Sequence, residues 1–191
     1  MSSMGDKAGN ESIPEALVEY LAHFNGTRDL FECHEVMEEY WKREGKNRHP
    51  SLWLGLIQLA VGLYHERRGN RSGARKMLGS AFVHLERSPL AEYGIDRDRL
   101  LEGLDIRLKR LRSFAHGEEG SDYVDFNLPV ANGELLAKCR KRCAEVGAAW
   151  LQPSPMDRDD LIHRHMLRDR SEVIRARQER LAAKSVDRMS R

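Results

Sequence analysis

Two stretches decide the fold: residues 31–41, FECHEVMEEYW, and residues 51–66, SLWLGLIQLAVGLYHE. The second is apolar on nearly every face of a helix, which predicts a central helix rather than a peripheral one. In the first, Leu30, His34, Met37 and Trp41 recur at alternating steps of four and three, the spacing of one helical stripe. His34 therefore occupies a place on that stripe where an apolar residue is expected. The loop 45–50 is short enough to force an antiparallel return, so helices over about 27–44 and 51–68 form a hairpin.

Working outward, a first helix is expected over 13–25, with Ser12 as its cap, Pro14 in its first turn and Asn25-Gly26 as its stop. Gly69-Asn70 ends the central helix, and Asn70 or Ser72 can cap a fourth over about 73–87, halted by Ser88-Pro89. A fifth helix over about 96–114 turns Leu101, Leu104, Leu108 and Leu111 inward. The fold class is thus all-α, a five-helix antiparallel bundle core with a C-terminal helical extension. Residues 1–10 read as a disordered leader and 11–114 as the bundle domain. Residues 115–191 read as linker plus extension: HGEEGSD (116–122), an extended segment at 124–128, and a sixth helix over about 132–150. A charge-rich run from Met156, in which His163-Arg164-His165 reads as solvated surface, ends the chain.

Composition narrows the function classes. Lys and Arg total 32 against 30 Asp and Glu, a formal charge of +2, too balanced to argue for nucleic acid or an anionic membrane. No apolar run approaches the ~18–20 residues of a membrane span. Three cysteines in a chain of this length do not make a disulfide framework, so a cytoplasmic protein with reduced thiols is expected. Cys139 and Cys143 lie on an apolar stripe and read as buried core thiols.

Chemistry is expected at the hairpin. His34 and Glu38 stand four apart on one face, and Glu35 flanks them. The pattern HExxE differs from the zinc-protease HExxH in its fifth position, though a carboxylate there still serves as a ligand or proton acceptor. In the antiparallel hairpin, facing residues carry numbers that add to about 95 or 96, so Glu38 lies level with Gln58 and His34 with Val61 and Gly62. His65 follows about 5 Å along the axis. A buried layer of His34, Glu38, Gln58 and His65 results, with Trp41 and Tyr64 alongside, and Gly55 and Gly62 leave helix surface open for a pocket.

The reading that follows is a site with His34, Glu38 and His65 as metal ligands and Gln58, Trp41 and Tyr64 around a small polar ligand. Zinc, iron or manganese suits that donor set. Glu35 and Glu38 are the candidate bases. The alternative is a non-enzymatic protein-interaction module whose polar cluster is purely structural and simply satisfies buried groups.

FECHEVMEEYW followed by GLIQLAVGLYHERRGNRSGA (55–74) resembles the bacterial domain-of-unknown-function family numbered 309, over about residues 11–114. That family is marked by a His-x3-Glu-x2-Trp motif, matched by His34, Glu38 and Trp41. The resemblance implies a helical bundle and a suggested metal-binding role for the motif.

Overall fold

The computed structural model describes residues 13–46, 48–113 and 123–164. The expected leader, the Ser12 cap, the linker 116–122 and the tail from His165 onward lie outside the described residues. Among the described residues the regular elements are all helical, with one isolated antiparallel bridge, Ile95 to Val130, and no strand. A helical bundle is what the hydrophobic spacing predicts. No described helix is long and apolar enough to cross a membrane.

α1 (Glu15–Ala22) starts after Pro14, whose carbonyl accepts from Leu17 N at 2.9 Å and Val18 N at 3.4 Å. It runs into one π-helical turn, His23–Thr27, and stops at Arg28, which adopts the left-handed conformation (φ 61°). α2 (Leu30–Tyr40) begins three residues later than expected because Asp29 is its cap: the Asp29 carboxylate accepts from Glu32 N at 3.0 Å. A second π-helical turn, Trp41–Gly45, ends the element.

α3 (Pro50–Arg67) is the axis of the bundle: Leu52, Leu56, Leu59, Ala60 and Leu63 have no exposed surface. α4 (Arg71–Glu86) is capped by Asn70, which accepts from Gly73 N at 2.9 Å, as its residue type predicts. The two helices pack closely because Gly55 and Gly62 face α4. A Cβ on Gly62 would stand 2.6 Å from Leu78 Cδ2, and one on Gly55 would stand 2.8 Å from Leu85 Cδ2. The expectation that these glycines open a pocket is corrected: α4 side chains fill the space.

A 3-10 turn (Leu90–Tyr93) leads to α5 (Arg97–Ser113). Glu66 of α3 is buried and paired with two α5 guanidiniums, Arg107 at 2.6 Å and Arg110 at 2.6 Å. Residues 123–132 then cross back over the bundle. Asn25 clasps this strip with both ends of its amide: Nδ2 donates to Leu128 O at 2.8 Å and Oδ1 accepts from Leu128 N at 2.9 Å. Arg28 donates to Phe24 O, Phe126 O, Gln152 O and the Asn127 side chain. α6 (Gly133–Glu145) lays Leu135, Cys139 and Cys143 in the core, where both thiols are buried as expected. Gly26 admits Cys143, whose Sγ would be 2.5 Å from a Cβ there. A short α7 (Asp159–Ile162) buries Leu161 and Ile162. Arg164 behind it pairs with the buried Asp29 and reaches Glu32 at 3.7 Å, so this residue is an anchor rather than simple surface.

Candidate functional site

On α2 the core-facing stripe is Leu30, Cys33 and Met37, all buried. His34 lies one position, about 100° of helical turn, beyond Cys33. It therefore sits at the edge of the core and not in it. Its side chain is 28% exposed, Glu35 35% and Glu38 36%. The expectation of a buried cluster is corrected on this point: the trio is half-exposed, at the rim where α2 meets α3.

The trio is compact. His34 Nδ1 lies 3.1 Å from Glu35 Oε1, and His34 Nε2 lies 3.8 Å from Glu38 Oε2, so each ring nitrogen faces a carboxylate. One ligand atom from each of the three falls within 4.8 Å of the others. Glu38 also receives Lys42 Nζ at 3.0 Å, in the favourable order of Glu four residues before Lys. As stabilising contacts these exposed pairs count for little, about 0–1 kcal/mol each. Their arrangement around one imidazole is what gives them interest.

His34 borders a cleft of about 210 Å³ between α2 and α3. Leu30, Phe31, Val61 and Tyr64 form apolar walls, with His34, His65 and Arg68 among them. The hairpin arithmetic locates this cleft well. Phe31 and Tyr64 stand level and their rings are 6.3 Å apart, His34 shares the cleft with Val61, and Leu30 shares it with His65. Phe31 also packs on the His34 ring at 6.3 Å.

The other expected residues distribute as follows. Tyr64 lines the cleft and stacks beneath Arg68, whose guanidinium carbon is 5.3 Å from the ring centre. His65 lines the same cleft, but its Nδ1 is engaged by Asn70 Nδ2 at 3.1 Å, and it is not in the compact trio. Burial lowers the His65 pKa, with the neighbouring Arg68 charge acting the same way. Gln58 and Trp41 do not line the cleft. Each keeps a buried polar atom without a hydrogen-bond partner among the described residues, Gln58 Oε1 and Trp41 Nε1. Lys46 stands over the Trp41 ring at 4.9 Å. The structure thus brings Glu35 to His34 and Glu38, and leaves Gln58 and Trp41 on the flank.

Arg68 is the cleft residue that sequence reasoning passed over. It lies in a run of basic residues at the end of α3 that looks like ordinary helix-terminus charge, and only hairpin register carried past His65 would have found it. The cysteines add no reactive group. Cys33 is fully buried with its thiol pushed well above its ordinary value by desolvation, and Cys139 is pushed up to about 12 by the same cause.

Comparison with known proteins places these features in a family. The model described as "Domain of unknown function (DUF309)" matches residues 17–77, a span that holds His34, Glu35, Glu38, His65 and Arg68. "Uncharacterized protein YpuF" of Bacillus subtilis (strain 168) is 38% identical over 170 residues, covering 88% of this chain and 94% of that protein. The likeness therefore reaches well beyond the span of the family model. On the His-x3-Glu-x2-Trp motif, the helical bundle and these matches, the chain belongs to the family described as Domain of unknown function (DUF309).

Proposed function

We propose that His34, Glu35 and Glu38 hold one divalent metal ion at the edge of the α2–α3 cleft, which takes a small ligand beside it. The observation that carries this reading is the convergence of one imidazole and two carboxylates within 4.8 Å, at the border of an open cleft. An ion lies about 2.0–2.2 Å from nitrogen and oxygen ligands, so two of its ligands stand at most about 4.4 Å apart. The trio needs to contract by a few tenths of an ångström, and half-exposed glutamates have the reach to do so. A set of one nitrogen and two carboxylate oxygens suits manganese, iron or zinc. Such an ion supplies Lewis acidity and lowers the pKa of a bound water. In this arrangement the chain's own part is orientation: the two carboxylates flank the imidazole, and the apolar walls of the cleft exclude water beside it.

The rival reading, a protein-interaction module with a purely structural cluster, needs the cluster packed away from solvent. Half-exposure of all three residues and the open cleft weigh against it. The three free, buried cysteines fit a cytoplasmic chain. The test is metal content by mass spectrometry, on protein made without a histidine tag and equilibrated with manganese, iron(II) or zinc. About one ion per chain is expected, lost in His34→Ala and in Glu35→Gln/Glu38→Gln. A wild type that holds no ion and gains no thermal stability from any of the three defeats the proposal.

A further inference from the structure

We infer that the ligand of the α2–α3 cleft is a small apolar molecule, the size of an aromatic ring with a substituent, that ends in a chelating pair of oxygens bound to the ion at His34. The inference rests on the metal reading above and names the class of ligand that the same site takes.

Position comes first. His34 belongs to both features: its ring borders the cleft, while its two nitrogens face Glu35 and Glu38. Glu38 lies one helical turn beyond His34, on the side away from Leu30, so the trio stands at one end of the cleft. Phe31 and Tyr64, with ring centres 6.3 Å apart, and then Leu30 and His65 carry the cleft away from that end. Its α3 wall runs from Val61 to Arg68, about 10 Å along the axis. A molecule with its head at the ion therefore lays its body along that wall.

Size and polarity describe the body. The cleft holds about 210 Å³. A dry cavity of about 150 Å³ takes benzene, whereas drug-sized ligands occupy roughly 300–1,000 Å³. A ring with a substituent falls between these limits, and Leu30, Phe31, Val61 and Tyr64 offer it apolar and aromatic surface. The polar groups of the lining already have partners: Asn70 engages His65 Nδ1 at 3.1 Å, and the Arg68 guanidinium lies on the Tyr64 ring. Holding a polar end is thus left to the ion.

Coordination and charge describe the head. Three protein ligands leave neighbouring positions open on an octahedral ion such as manganese, which prefers oxygen donors. A pair of oxygens on one small group fills two of them. The carboxylates of Glu35 and Glu38 balance the charge of a divalent ion, and Lys42, 3.0 Å from Glu38, adds one positive charge beside them. A head that carries a single negative charge over its two oxygens matches that balance.

The experiment is calorimetric titration of the untagged full chain, loaded with manganese and again in EDTA, with benzohydroxamate, acetohydroxamate and benzamide. The first two share a chelating head and differ in the body; the first and third share the body and differ in the head. On the loaded chain benzohydroxamate is expected to bind at least about tenfold tighter than either of the others. In EDTA its advantage over benzamide should vanish. The two hydroxamates grip manganese alike, so the ratio between them reads the cleft. Val61→Trp, with its fold checked by circular dichroism, should bring them level, and the series on the wild type stands without any variant. Equal affinity of the two hydroxamates for the loaded chain, benzamide as tight as benzohydroxamate, no binding of any probe, or a folded Val61→Trp that keeps the preference each overturns the inference and leaves the metal reading standing. A chain whose metal content, measured before the titration, shows no manganese defeats the metal reading and this inference with it.

Discussion

Replacing Gly62 by alanine tests how the central helix is seated. In an open helical position this change stabilises, because alanine exceeds glycine in helix propensity by about 1 kcal/mol. At Gly62 the new Cβ would stand 2.6 Å from Leu78 Cδ2, 2.7 Å from Leu78 Cγ and 3.0 Å from the Leu78 backbone nitrogen. Leu78 has no exposed surface, so its side chain has no room to swing away and α3 and α4 must separate. Overpacking of this kind costs about 1–3 kcal/mol, and a backbone contact places it in the upper half of that range. The net effect is about 1–2 kcal/mol of destabilisation, or roughly 2–8 °C in Tm for a chain of this size. Gly79 supplies the control: nothing lies within 4 Å of its built Cβ, so Gly79→Ala should raise stability by about 0.5–1 kcal/mol. Urea unfolding of the two single variants reads the contrast directly. A cycle with Leu78→Ala should show the Gly62 penalty shrinking once the clashing side chain is gone. If Gly62→Ala melts at or above wild type, or matches Gly79→Ala, the account of close α3–α4 packing is wrong.

Other outcomes follow from the same structure. Asn25→Ala removes both hydrogen bonds to Leu128 and strands buried backbone groups, so urea unfolding should show a loss of about 2–4 kcal/mol. Glu66→Gln leaves Arg107 buried beside a neutral partner; the change should cost about 3–5 kcal/mol, and a thermal melt within a degree of wild type would contradict it. The thiols of Cys33 and Cys139, pushed up by burial, should react with a disulfide reagent at pH 8 only as fast as the chain unfolds. His23 and His65 both have pKa values lowered chiefly by burial, so the folded state binds fewer protons than the unfolded one near pH 6. Their contribution to stability is present above the unfolded value of about 6.5 and is lost as pH falls through the lower folded value. A pH series of melting temperatures should therefore fall more gently below pH 6.5 in a His23→Asn variant than in wild type.

The α2–α3 hairpin was legible because two local signals, apolar periodicity and loop length, are enough to define it. Its register put His34 level with Val61, and both line the cleft with Tyr64 and His65, whereas Glu38, Gln58 and Trp41 of the expected layer lie outside the lining. The depth of His34 was not legible, since a four-three stripe through Leu30, His34, Met37 and Trp41 and one through Leu30, Cys33 and Met37 differ by a single residue. Only the packing partner decides between them, and it chose the latter. Glu35 was read as a flank of the pair and a candidate base; adjacent helical residues do not face each other, yet its long side chain folds round to His34 Nδ1. The glycines at 55 and 62 announce a close approach without naming the partner, which proved to be α4. Asn25 was read only as a helix stop and Arg28 was not singled out, because their partners at Leu128, Asn127 and Gln152 are about a hundred positions away and leave no local pattern.

The central claim concerns the trio of His34, Glu35 and Glu38, and anomalous scattering from a crystal of untagged protein grown with manganese tests it most directly. The account predicts one strong peak on the α2 side of the cleft, within about 2.0–2.3 Å of a His34 nitrogen and of an oxygen from each glutamate. A well-ordered trio without a peak at manganese concentrations that saturate other sites, or a peak ligated elsewhere, would contradict it.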